Sequence, residues 1–134
     1  MGNRAVITFA PHNPEGVGIY LHWNGGRASV EGFLQACHDL GYRTPGSDPS
    51  YAMARLTHVI CSFLGGSLSV GVGLCQQLDC DNGDNGVYVI GPDGWTIAGR
   101  EHIREGFQEE VDLEKTRQIA EVCVEKVQSI EAVR

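Results

Sequence analysis

Two short stretches hold residue types that can do chemistry, at spacings that bring them together. The first is Leu21–Val30, LHWNGGRASV. An apolar, aromatic run passes through Gly25 and Gly26 to Arg27 and then to Ser29, where a helical pattern begins. The free N–H groups of a helix N-terminus carry partial positive charge and attract anions. Asn24, Gly25, Gly26, Arg27 and Ser29 therefore form a candidate anion-binding loop for a nucleotide or phosphate. The alternative is a tight turn whose helix is capped by Ser29. The second stretch is Asp79–Gly86, DCDNGDNG. Carboxylates and amides at such close spacing suit a calcium ion, which takes several oxygen ligands, and glycines let the chain fold round it. The distant bidentate glutamate of a calcium loop is absent, and the same residues build polar turns between strands.

The Asn24–Ser29 segment also resembles the SGGxDS loop of the PP-loop ATP pyrophosphatases. The resemblance covers six residues and departs at two, Asn24 in place of the first serine and Ala28 in place of aspartate. That family requires a parallel α/β sheet, which the element order here does not provide. No two of the five histidines, His12, His22, His38, His58 and His102, stand at the H-x-H or H-x-x-x-H spacing of a metal site. Cys37-His38 and His58 with Cys61 fall on neighbouring helices, where a Cys/His cluster is geometrically open. No nucleophile elbow or comparable cysteine context is present. The reading is therefore of a protein that is not an enzyme and needs no cofactor or metal.

Composition narrows the classes further. A chain of 134 residues suits one domain with a real core. Its 42% hydrophobic and 20% charged residues are those of an ordinary folded protein. The net charge of −7 repels nucleic acid and anionic lipid, and no run of Lys/Arg forms a counter-patch. An acidic surface attracts basic protein grooves instead. The N-terminal MGNRAVITF has no signal-peptide core, and Val6 stands where a myristoylation signal has Ser or Thr. No apolar run approaches the ~20 residues of a membrane span. A cytoplasmic location is expected, with Cys37, Cys61, Cys75, Cys80 and Cys123 as free thiols, mostly buried.

The elements that must position these residues follow from periodicity. Strands are expected at Arg4–Phe9 and Val17–Trp23, joined as a hairpin by the A-P-H-N-P-E-G loop. A helix from Ser29 buries Val30, Phe33, Leu34, Cys37 and Leu40 and stops at Gly41. After a Tyr42–Pro49 loop, a second helix, Ser50–Leu64, ends at Gly65-Gly66. Leu68–Leu74 reads as a strand whose glycines imply close backbone approach or a bulge. Val87–Ile90 and Trp95–Ala98 form a second hairpin round Gly91-Pro92-Asp93-Gly94. A C-terminal helix from about Gln108 carries Leu113, Ala120, Val124 and Val127 on one stripe, widened by Ile119, Val122, Ile130 and Val133. Its outer face is acidic (Glu109, Glu110, Asp112, Glu114, Glu121, Glu125), and the broad apolar band makes a homodimer through this helix reasonable. The expected fold is a single α+β domain in the order ββααβββα, with a mainly antiparallel sheet of about five strands packed by two central helices and the C-terminal helix.

Taken together, MGNRAVITF, GIYLHWNGGR, SVEGFL, YAMARL, GGSLSVGVG and LDCDNGDNGVYVI make the chain, up to about Arg100, similar to a family of small proteins carried by bacteriophages, prophages and other mobile elements of gut and Gram-positive bacteria. The resemblance implies a setting rather than a mechanism. Small acidic proteins in that setting are often inhibitors of host defence, of the anti-CRISPR or wider anti-defence kind. The expected partner is a host defence protein such as a CRISPR effector. The carboxylates of Asp79, Asp81 and Asp84 would stand in for phosphates in its basic groove, while an exposed aromatic, Trp23 or Tyr88, anchors the contact. Two alternatives stand beside this one: a nucleotide or phosphate binder using Asn24–Ser29, and a metal-binding protein.

Overall fold

A computed structural model describes residues 2–103, 107, 109 and 111–132. Five strands form one sheet: β1 (Ala5–Phe9), β2 (Val17–Leu21), β3 (Val70–Leu74), β4 (Val87–Ile90) and β5 (Ile97–Glu101). Their spatial order is β3-β2-β1-β4-β5. The class is α+β, but the sheet is mixed rather than mainly antiparallel. The β1–β2, β2–β3 and β4–β5 pairs are antiparallel, whereas β1 and β4 pair in parallel at the centre. The cause is the connection after β3. It crosses the open face of the sheet through Cys75–Gly86 and brings the chain in beside β1 running the same way.

Three helices cover the other face: α1 (Arg27–Asp39), α2 (Pro49–Leu64) and α3 (Leu113–Glu131). Strand alternation sorts the sheet residues between two cores. Ala5, Ile7, Ile19, Leu21, Tyr88 and Ile90 pack with Val30, Phe33, Leu34, Leu56, Val59 and Ile60 of the helices. Val6, Val87 and Val89 form a smaller cluster on the far side, under Leu78 and Cys80. The Val-Gly-Val-Gly-Leu pattern of β3 follows from this arrangement. A Cβ on Gly73 would lie 3.2 Å from Gln77 Oε1, and one on the neighbouring Gly18 3.2 Å from both Cys75 Sγ and Leu78 Cδ1. The glycines admit the crossing segment against the sheet.

Local signals fix the helix ends. Asp48 caps α2 by accepting from Tyr51 N, Pro49 sits at its first position, and Gly65 ends it in the left-handed conformation at φ 77°. Asp112 caps α3 by accepting from Lys115 N, so this helix begins at Leu113 rather than near Gln108. Gln108, Glu110 and Val133 lie outside the described residues. The buried stripe of α3 is Ile119, Ala120, Cys123 and Val127, packed on α1, where Gly32 lets Ile119 approach. Leu113, which the periodicity placed on that stripe, is exposed, as are Val122 and Ile130. Trp95 precedes β5 instead of opening it. Its ring packs edge-on against Phe9 and its indole N–H donates to Tyr42 O at 3.2 Å. Gly91 N donates to Thr96 O, so the turn runs one residue pair further before the strand starts.

Candidate functional site

The Asn24–Ser29 junction holds an anion, and the chain itself supplies it. α1 starts at Arg27, with Gly26 as an extended cap residue that gives no side-chain bond. Ser29 is thus not the cap: it lies inside the first turn, buried, and its Oγ accepts from Asn24 Nδ2 at 3.3 Å. The first helical N–H, that of Arg27, donates to Glu109 Oε1 at 3.0 Å, and Arg100 Nη1 donates to Glu109 Oε2 at 2.8 Å. The Arg100 and Glu109 side chains are only 14% and 19% exposed. The Arg27 guanidinium points elsewhere, pairing with Glu31 one turn on at 3.0 Å. Asn24 takes positive φ (60°), and Gly25 is pressed against residues 3–5, where a Cβ would stand 2.8 Å from that of Ala5. The Asn24 amide, the Gly25 N–H, the Arg27 N–H and guanidinium and the Ser29 hydroxyl are therefore engaged within the chain.

Tyr88 belongs to the same construction and is not an exposed anchor. It is fully buried, its hydroxyl donates to Gly25 O at 2.7 Å, and the Arg100 guanidinium lies 3.9 Å from its ring centroid. Burial pushes its phenol up from the ordinary value. The alternation of β4 turns Tyr88 toward the helices, which the short VYVI run did not disclose. Arg100 also donates through Nη2 to Asn85 O at 2.8 Å, so one side chain ties β5, the Asp79–Gly86 loop and the start of α1 together.

The DCDNGDNG loop is organised by an amide rather than a cation. Asn82 is buried; its Oδ1 accepts from Asp84 N and Gly86 N, both at 3.0 Å, and its Nδ2 donates to Asp79 O at 3.0 Å and Gly86 O at 3.1 Å. Asp84 is tied to Arg4, accepting from its Nε at 2.8 Å and its backbone N at 3.0 Å. These bonds hold the Asp84 carboxyl below its ordinary value, helped by the charges of Arg4 and His22. Asp79 lies 3.6 Å from Arg4 Nη1 and is half exposed, and Asp81 is exposed. Of the three carboxylates predicted to meet a partner, two face solvent and the third is structural.

Trp23 follows β2 in a bend. It lines a shallow groove of about 430 Å³ with Tyr20, His22, Leu68 and Val70. Trp23 is 47% exposed and Leu68 fully so, while Tyr20 and His22 are hydrogen-bonded at 3.0 Å beneath them. Tyr20 packs on the same Val6–Val87–Val89 cluster as Leu78 and Cys80, on the sheet face that the Cys75–Gly86 segment crosses. Leu68 was read only as a strand residue; the chain turns before Val70, which leaves it projecting.

A further grouping had no sequence signal because 89 residues separate its members: His12 Nδ1 donates to Glu101 Oε2 at 2.6 Å. The His102 ring stands edge-on to His12 at 6.2 Å. His12 and His102 share a cleft of about 390 Å³ with Cys75, Cys80, Asp79 and Asp81. Such a dyad orients an imidazole, but the neighbouring thiol is not activated: Cys80 donates to Cys75 O and burial raises its pKa. The helical Cys/His cluster does not assemble, since Cys37 is buried in the core and His38 faces solvent. Among the described residues, no group of three or more His, Cys, Asp or Glu is placed to hold a metal ion, and no helix is long and apolar enough to cross a membrane.

Fold and site thus define an α+β domain with a self-occupied helix N-terminus and an exposed aromatic groove. Comparison with protein-family models, curated proteins and solved structures finds no match.

Proposed function

We propose that the protein is a non-enzymatic interaction domain, encoded on a phage or other mobile element, that inhibits a host defence protein by docking on its surface. The observation that carries this reading is the Trp23–Leu68 groove, where two large apolar side chains stand in solvent, one just after β2 and one just before the edge strand β3. Interface energy concentrates in such aromatic anchors, which cluster in the centre of a contact. Asp79 and Asp81, exposed on the loop that crosses the sheet, suit a basic patch on the partner, speeding encounter and setting orientation. The resemblance of the first hundred residues to mobile-element proteins supplies the class of partner, a defence protein of the CRISPR-effector kind.

The test is protection of an infecting phage. Wild-type protein expressed in hosts carrying defined defence systems should raise plating efficiency in at least one. Trp23→Ala with Leu68→Asp should abolish the effect while leaving the urea midpoint unchanged. Asp79→Asn with Asp81→Asn should weaken it and reduce the salt sensitivity of the isolated complex; Asp84 is left intact because it holds Arg4. Full protection by the Trp23/Leu68 variant, or none by wild type in any host, refutes the reading.

A further inference from the structure

On α2, Tyr51, Arg55 and His58 follow one another at i, i+4 and i+7 and so share a helix face. The Arg55 guanidinium lies 5.0 Å from the Tyr51 ring centroid and 5.7 Å from that of Tyr42, and Arg43 lies 5.3 Å from Tyr51 on its way to Asp48. The four side chains build a column of alternating cations and aromatic rings. Arg4, Arg27, Arg43, Arg100 and Arg117 each have a carboxylate. Among the described arginines, Arg55 alone is held by rings without one. Beside it opens a cleft of about 430 Å³, lined by Tyr42, Ala54, Arg55, His58 and Glu131. In a chain of net charge −7, this is where cations and π faces converge.

We propose that this cleft binds a nucleoside monophosphate. A guanidinium already stacked between rings has lost much of its rotamer freedom and keeps its N–H fork for a phosphate, which it meets bidentately. His58, one turn further along α2, adds a second nitrogen on the same side. Aromatic and guanidinium planes are the surfaces on which bases stack, irrespective of base identity. The Glu131 carboxylate, which accepts from Tyr42 Oη at 3.4 Å, also lines the cleft. It accepts hydrogen bonds from ribose hydroxyls and repels a second phosphate, which favours the monophosphate over the triphosphate. The cleft's volume falls within the roughly 300–1,000 Å³ of small-molecule sites. The inference is independent of the Trp23 groove, which lies on β2 and β3.

Isothermal titration of the intact chain decides it, using AMP, GMP, CMP and UMP, the unphosphorylated nucleosides, and inorganic phosphate. The monophosphates should bind, nucleosides and phosphate alone more weakly. Arg55→Ala should lose roughly ten- to a hundredfold in affinity, the cost of a charge-assisted bond. The Arg55 side chain is exposed, so Arg55→Ala should fold as wild type, which its circular dichroism checks. Arg27→Ala, in the Glu109-occupied junction, should bind as wild type does, and Glu131→Gln should narrow the preference for AMP over ATP. The proposal is overturned by the absence of heat with all four nucleotides, by equal affinity for phosphate alone, or by unchanged binding in Arg55→Ala.

Discussion

Replacing Asn82 tests the view that an amide, not a cation, shapes the acidic loop. Its Nδ2 has two hydrogens, which go to Asp79 O and Gly86 O, and its Oδ1 takes Asp84 N and Gly86 N. Four bonds at about 1 kcal/mol net give a ceiling of about 4 kcal/mol for Asn82→Ala. Two features lower it. Gly86 O also accepts from Val6 N at 2.9 Å and keeps that partner. Asp79 and Asp84 are near enough to solvent for water to replace their bonds, so the buried Gly86 N–H is the main group orphaned. The expected loss is about 2–3 kcal/mol, read from urea unfolding followed by the fluorescence of Trp23 and Trp95, with amide exchange at Gly86 accelerated. Asn82→Asp keeps the acceptor, loses the donors and buries a charge among carboxylates. Its folded pKa should be raised, so its deficit against wild type should grow as the pH climbs above about 4. A loss below about 0.5 kcal/mol with Gly86 still protected would show that Arg4 and Asp84 alone hold the loop, and would refute this account.

Three further outcomes follow from the same geometry. Because the Asp84 carboxyl is depressed in the folded state, its contribution is present above the unfolded value of about 3.9 and fades as pH falls through the folded one. The stability gap between wild type and Asp84→Asn should therefore close in acid, which urea midpoints across the acid range will show. Glu109→Ala leaves the Arg27 N–H and the largely buried Arg100 without their carboxylate and should cost about 2–4 kcal/mol; added phosphate should stabilise this variant and not wild type. Of the five thiols, the part-exposed Cys61 and Cys80 should react slowly with an aromatic disulfide in the native state, both pushed up by burial. Cys37, Cys75 and Cys123, the last pushed up to about 12, should react only on unfolding.

Much of the local structure was legible in the residues. The β-branched run before Pro11, the Gly65-Gly66 stop and the Val-Tyr-Val-Ile strand depend on neighbours within a turn or two, and their elements fall where the pattern puts them. Burial of Cys37 and the α+β class follow from period and element order alone. Anything that required a distant partner was not legible. The parallel β1–β4 pair arises from a crossing loop whose path local propensity does not encode. Trp23 and Tyr88 are both aromatic residues of strand-like runs, yet one stands in solvent and the other beneath Arg100, because β2 ends at Leu21 and leaves Trp23 beyond the sheet, whereas Tyr88 sits within β4 on the side the helices cover. The residue pattern starts the helix at Ser29, with an anion site and a Ser29 cap as alternatives; the structure starts it at Arg27, with Gly26 as the cap residue. The occupant of that N-terminus, Glu109, lies 82 residues away, and only the tertiary structure brings it there. Sequence determined the field at that terminus; chain topology decided that an internal carboxylate satisfies it.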